Sequence, residues 1–278
     1  MASRLAHRAE GNAGASALPL VLVHGHPFDH TMWAPQIDAF SSGRRVIAPD
    51  LRGYGASPVT PGVTALSVFA DDLEELLDSL DVERCVLGGL SMGGQIVMEY
   101  YARFPERVRG LLLADTFAAP ETPEGHRARN DTADRLLREG MRGYADEVLY
   151  KMVAPHAPPA VAAHVHRMMT RTDPRGAAAA LRGRAERPDY RPLLSRVTVP
   201  TLVVVGAEDE YTPVSDAESL HALLPDSTLV VVDGAAHLPN LERPDAFDAA
   251  LADFLRRLDT TDGRTNPSGR PEERGVRP

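Results

Sequence analysis

The 278-residue chain has one cysteine, Cys85, and one lysine, Lys151, among its 30 basic residues. A lone cysteine makes no internal disulfide, and Cys85 lies inside the apolar run ERCVLGG, where a buried structural thiol is expected. The scarcity of lysine points to genomic base composition and carries no functional reading. No run approaches the roughly 18 to 20 apolar residues of a membrane span, and MASRLAHRAEG places charges where a signal peptide would carry its apolar core. A cytoplasmic location is therefore expected. Positive charge is also in deficit: 30 basic against 39 acidic residues leave −9, which argues against nucleic acid or an anionic membrane as partner, since both need clustered positive potential. A small-molecule partner fits better.

What is present is an ordinary soluble composition, 43% hydrophobic and 25% charged, long enough for one large α/β domain. Short solid apolar runs alternate with amphipathic stretches, the pattern of a parallel sheet wrapped by helices. PLVLVHG, RRVIAPD, ERCVLGG, VRGLLLADT, VTVPTLVVVG and STLVVVDG read as strands. Between the second and third, Leu66, Phe69, Leu73, Leu76, Leu77 and Leu80 recur at helical spacing with five acidic residues among them, predicting a surface helix laid on the sheet. Residues 117–196 hold no solid apolar run and many alanines, arginines and prolines, so they are expected to form a helical cap between core segments 1–116 and 197–258. From Asp259 the chain is poor in hydrophobic residues and rich in Gly, Pro, Arg and Thr, and 259–278 is expected to be a disordered tail.

The chemistry starts from Gly89-Leu90-Ser91-Met92-Gly93, a G-x-S-x-G between the strand VLGG and the helix GQIVMEYYARF. A serine held in a strained strand-to-helix turn needs neighbours without a β-carbon two positions either side, and it then sits at a helix N-terminus, where unpaired N–H groups favour developing negative charge. Ser91 is the candidate nucleophile, and the Met92 N–H is a candidate oxyanion donor. Serine attacks a carbonyl only with a histidine base, itself oriented by an acid. Of ten histidines, only His237 follows a late apolar strand, LVVVDGAAH, downstream of every strong acid candidate. His164 and His166 have metal-pair spacing, yet no carboxylate or cysteine cluster lies near them in sequence, and no metal is expected. For the acid, TLVVVG runs into Ala207-Glu208-Asp209-Glu210 at a strand's carboxyl end, where open α/β sheets place their catalytic groups. Asp209 is preferred; Asp115, closing LLLAD, is its rival.

LVLVHGHPFDHTMW, VIAPDLRGYGAS, GGLSMGG, GAEDEYTP and GAAHLPNLERP resemble, in order and spacing, the signature segments of the α/β-hydrolase superfamily, over about residues 4–258. Within it the likeness is to serine esterases, cofactor-free haloperoxidases or perhydrolases, and 3-oxoadipate enol-lactonase-like enzymes. The resemblance implies an α/β-hydrolase fold, a mostly parallel sheet flanked by helices with a helical cap, and a Ser91, Asp209, His237 triad. It also implies that His26, after His24-Gly25, supplies a second oxyanion N–H through its backbone, that Phe28 and Trp33 line or support the pocket, and that no cofactor is needed. Relatives usually begin with a two-stranded hairpin, whereas only SRLAHRAEG precedes the glycine-rich turn here, so the first edge strand is expected to be missing.

The expected activity is hydrolysis of a small carboxylic ester or lactone. Serine at the elbow disfavours epoxide hydrolysis and dehalogenation, which use aspartate there. Perhydrolase or haloperoxidase-like chemistry, carbon–carbon bond hydrolysis and a non-catalytic small-molecule-binding module remain alternatives. An enol-lactone substrate wants a cationic clamp for its carboxylate. Arg52 and several cap arginines are candidates, with structural or solvated roles the better reading; Met141, Tyr144, Met152, Met168 and Met169 are read as cap core that could also shape an acyl pocket.

Overall fold

The six apolar runs become six parallel strands because each is apolar on both faces. The computed structural model describes residues 5–15 and 17–262. In chain order come β1 (His7–Glu10), β2 (Leu20–Val23), a 3-10 turn (His30–Trp33), α1 (Ala34–Phe40), β3 (Val46–Pro49), α2 (Leu66–Ser79), β4 (Cys85–Leu90), α3 (Met92–Arg103) and β5 (Val108–Ala114). Five helices follow: α4 (Pro123–Glu139), α5 (Arg142–Met152), α6 (Pro159–Arg171), α7 (Pro174–Ala185) and α8 (Arg191–Leu194). The chain returns to the sheet with β6 (Thr201–Gly206), α9 (Val214–Leu223), β7 (Ser227–Val232), α10 (Pro239–Glu242) and α11 (Pro244–Asp262). Among the described residues the sheet has seven strands in the order β1-β3-β2-β4-β5-β6-β7, with β1 antiparallel to β3 and every other pairing parallel.

Strand side chains alternate faces with period two, and the two halves of the core record it. Val21, Val23, Leu111, Leu113, Val203 and Val205 pack on one face with α2, α3 and α9. Leu20, Leu22, Leu112, Ala114, Leu202 and Val204 pack on the other with α1 and α11. With both faces covered, β2–β6 are buried along almost their whole length, as parallel strands require, while the edge strand β7 is only partly buried. The acidic residues of α2 lie largely outward while Leu66, Phe69, Leu73, Leu76 and Leu77 are buried. Cys85 is buried, and burial pushes its thiol up to about 12, so it is an unreactive core residue.

Two sequence readings change. SRLAHRAEG does supply an edge strand, β1, whose His7–Glu10 pair with Val46–Pro49; among the described residues it is a single strand ahead of β2. The proposed tail start is too early as well. α11 continues through Asp262, because Arg44 Nη2 donates to Asp259 Oδ2 at 2.7 Å and Thr260 Oγ1 bonds back to the Arg256 carbonyl at 2.8 Å. Residues 263–278 lie outside the described residues. No helix among those described is long and apolar enough to cross a membrane.

α11 is pinned by Phe247, fully buried with its ring 6.1 Å from that of Trp33. Replacing Phe247 with alanine leaves a cavity beneath the sheet and is expected to lower stability by about 3–5 kcal/mol, read as a reduced urea unfolding midpoint with an unchanged m-value.

Candidate active site

Ser91 occupies the turn between β4 and α3 with φ 57° and ψ −115°, a left-handed backbone that a residue with a β-carbon holds at a cost of about 1–3 kcal/mol. Its surroundings enforce the shape. The Ser91 N–H donates to the Ala114 carbonyl (2.9 Å), and the Thr116 hydroxyl donates to the Ser91 carbonyl (2.8 Å). A β-carbon on Gly89 would lie 2.3 Å from the Gly93 carbonyl carbon, and one on Gly93 would lie 2.2 Å from the Val23 carbonyl oxygen. Only glycine at both positions lets β4, α3 and β2 come this close.

His237 and Asp209 meet across 28 residues of sequence: His237 Nδ1 lies 2.8 Å from Asp209 Oδ2, and both are buried. Asp209 is saturated. Its Oδ1 accepts the N–H groups of Tyr211 (2.8 Å) and Thr212 (3.1 Å), and its Oδ2 also accepts from the Thr212 hydroxyl. Burial works against the Asp209 carboxylate, yet the attraction of His237 and the hydrogen bonds from His237 and Thr212 outweigh it and hold the group below its ordinary pKa. Its sequence neighbours Glu208 and Glu210 are exposed.

Asp115 lies next to Asp209 but plays a different part. Its Oδ1 accepts the Gly206 N–H at 2.9 Å and its Oδ2 has no partner; no hydrogen bond joins it to His237. Full burial, reinforced by the negative Asp209, pushes its carboxyl well above the usual range. Of the two candidates, only Asp209 is hydrogen-bonded to His237.

Ser91 and His237 line one cavity of about 160 Å³, without a hydrogen bond between them. The N–H of Met92, at the first position of α3, has no intrahelical acceptor, and among the described residues neither it nor the His26 N–H donates a hydrogen bond. The His26 ring joins Tyr54 through Nδ1 (2.8 Å), and burial, then the charges of Arg184 and Arg129, lower its pKa well below the ordinary value. His24 braces the same loop: its Nδ1–H donates to the Gly25 carbonyl (2.8 Å) and its Nε2 accepts the Leu51 N–H (2.9 Å). Burial lowers its pKa too, in keeping with the neutral ring that this donor–acceptor pairing requires.

Other candidates are placed elsewhere. Phe28 and Trp33 are fully buried in the core and do not line the cavity; the apolar demand of the sheet face takes both rings away from the pocket, leaving them support from beneath. Of the five cap residues, Tyr144 and Met152 line the cavity, whereas Met141, Met168 and Met169 pack into apolar clusters. Arg52 is structural, its Nε donating to Asp72 on α2 at 2.6 Å. The rings of His164 and His166 have separate partners, Thr31 and Asp146.

Sequence reading includes Arg129 and Arg184 only among the unnamed cap arginines and misses Tyr211 and Thr212, all four on the cavity wall, and Glu242. Buried Glu242 accepts the N–H groups of Ala236 (3.0 Å) and Leu238 (3.2 Å), on either side of His237, and of Ala154 (2.7 Å) from the helical insertion. Thr212 could have been noticed as a hydroxyl three residues beyond Asp209. Arg184 has no local signal in an arginine-rich segment.

A sequence model described as the alpha/beta hydrolase family matches residues 20–250. The chain belongs to that family. It is 29% identical over 253 residues to 3-oxoadipate enol-lactonase 1 of Acinetobacter baylyi, covering 89% of this chain and 92% of that one. Among solved structures it is similar to a thermophilic esterase from Thermogutta terrifontis with malate bound, at 39% identity and TM-score 0.88, covering 92% of this chain and 94% of the other. It is also similar to the enol-lactonase from Burkholderia xenovorans, at 31% identity and TM-score 0.84, covering 91% and 96%.

The two acids make opposite predictions for this hydrolase. Asp209→Asn is expected to lower turnover of an ester by about 10⁴-fold, as loss of the orienting carboxylate does in such triads, and Asp115→Asn by less than about tenfold. Stability moves the other way. In the parent, unfolded Asp115 ionises above about pH 3.9 and the folded group only at a higher pH, so the parent loses stability as pH rises from there to the raised folded pKa. The stability advantage of Asp115→Asn over the parent should therefore grow across that window in chemical denaturation at successive pH values; an advantage that shrinks would assign Asp115 a charged role.

Proposed function

We propose that this hydrolase cleaves a carboxylic ester or lactone of a small molecule through an acyl-enzyme on Ser91. The observation that carries the reading is the buried His237–Asp209 hydrogen bond, 2.8 Å long, beside a strained serine in a common cavity. Enol-lactonase and esterase relatives support it.

The mechanism follows from the arrangement. Substrate bound in the cavity brings Ser91 Oγ, His237 and the scissile carbonyl together, tightening a contact that is commonly loose before binding. Ser91 Oγ attacks the carbonyl carbon as His237 Nε2 takes its proton, and Asp209 holds the imidazole tautomer and stabilises the resulting cation. The oxyanion accepts the N–H groups of His26 and Met92, each worth about 3 kcal/mol of transition-state stabilisation. Collapse breaks the bond to the alcohol oxygen, which takes the proton from His237; with a lactone the alcohol stays attached to the acyl group. Water then attacks the acyl-enzyme by the same steps and frees the acid and Ser91. Helices α4–α8 act as the cap, and the cavity of about 160 Å³ favours short acyl groups.

An active-site-directed fluorophosphonate is expected to label the protein at Ser91, and Ser91→Ala to abolish labelling and lower ester turnover by a factor on the order of 10⁶. Within a p-nitrophenyl ester series, kcat/KM should fall beyond short acyl chains. Folded protein that neither labels nor turns over any ester would favour a non-catalytic binding module.

A further inference from the structure

Arg184, on α7, is 7% exposed and lines the cavity that Ser91 opens into. Among the described residues the two other buried arginines have acidic partners: Arg44 has Asp259, and Arg187 shares Glu121 with the half-buried Arg129. Arg184 has none. Its Nε donates to Gln95 Oε1 at 3.1 Å, and among the described residues no carboxylate lies within ion-pair distance of its guanidinium. A cation taken out of water without a counter-charge destabilises the fold, and like charges stand close by.

Around this part of the cavity, three guanidiniums, those of Arg184, Arg129 and Arg187, face the single carboxylate of Glu121. The local balance is positive in a chain whose net charge is −9. The setting is also oriented. Gln95 belongs to α3, the helix that Ser91 opens, and its N–H donates to the Ser91 carbonyl at 3.2 Å. By holding Nε, Gln95 fixes the plane of the guanidinium and leaves its two Nη groups, without a protein partner, for a forked acceptor.

We infer that Arg184, held by Gln95, binds a free carboxylate on the substrate, so that the preferred esters or lactones are half-esters or lactones of short dicarboxylic acids. The inference rests on the ester-hydrolase reading above and narrows it. Because Ser91 and Arg184 share about 160 Å³, the scissile carbonyl and the anion belong to one small molecule. Burial and the neighbouring arginines pull the Arg184 pKa well below its ordinary value, and a bound carboxylate relieves that strain on the charged form.

The test compares p-nitrophenyl hemisuccinate with p-nitrophenyl butyrate, alike in length and different in charge. The parent should favour the hemisuccinate in kcat/KM by at least about tenfold. Arg184→Met should lower hemisuccinate kcat/KM on the order of 100-fold, the scale of unpairing a buried charge, while butyrate changes by less than about threefold; Arg184→Lys should recover part of the loss. Since methionine removes an uncompensated buried charge, the Arg184→Met protein should melt no lower than the parent, which separates lost recognition from lost fold. Equal turnover of both esters by the parent, or an equal fall of both in Arg184→Met, overturns the inference while Ser91 labelling keeps the hydrolase reading intact. Succinate binding by calorimetry needs no turnover: binding lost in Arg184→Met upholds the anion site even where no ester is cleaved, and no binding to the parent counts against it.

Discussion

The turn at Ser91 is the constraint on which the site depends. A residue with a β-carbon is held at positive φ because three backbone segments converge on it, and they converge only where Gly89 and Gly93 leave room. The strain at one residue is spread over central strands whose both faces are buried, so relaxing it means moving β4 against β2 and β5. The same contacts leave the first N–H of α3 without an acceptor. Candidate nucleophile and candidate oxyanion donor thus come from one local choice of backbone.

Around the turn, burial sorts the charges. Three carboxyl groups, Asp115, Asp209 and Glu242, lie inside, and their partners decide what each can do. Asp209 is surrounded by donors and held as an anion; Asp115 has one donor and a negative neighbour, and its pKa rises; Glu242 satisfies three N–H groups, though burial still raises its pKa. The histidines of the His24–Pro27 loop have lowered pKa values, and Arg129 and Arg184 bring positive potential to the cavity wall. The His237 ring and two guanidinium groups thus share one small cavity.

How much of this could be read from the sequence depends on distance along the chain. Apolar runs announce strands because burial on both faces leaves no choice of composition, and the G-x-S-x-G turn announces itself because its steric demand is local. His237 is legible from its place after a late strand. The short strand β1 is not, since HRAE is polar and its pairing with β3 lies almost 40 residues away in sequence. Phe28 and Trp33 are read only as lining or supporting the pocket because an aromatic near such a loop has two places to go, and only the packing against Phe247 shows which Trp33 takes. Arg184 is the clearest case: among so many arginines, what distinguishes it is a missing partner, and a missing partner is visible only in three dimensions.

Glu242 joins parts of the chain that are otherwise independent. One of its oxygens fixes both backbone N–H groups flanking His237 while the other holds Ala154, nearly 90 residues earlier in the helical insertion. The insertion is therefore not a freely exchangeable module. A segment transplanted from another member of the family would have to present a backbone donor where Ala154 does; otherwise it would leave a buried oxygen unpaired and loosen the loop that carries His237. Exchange of helices α4–α8 is in this chain tied to the position of His237.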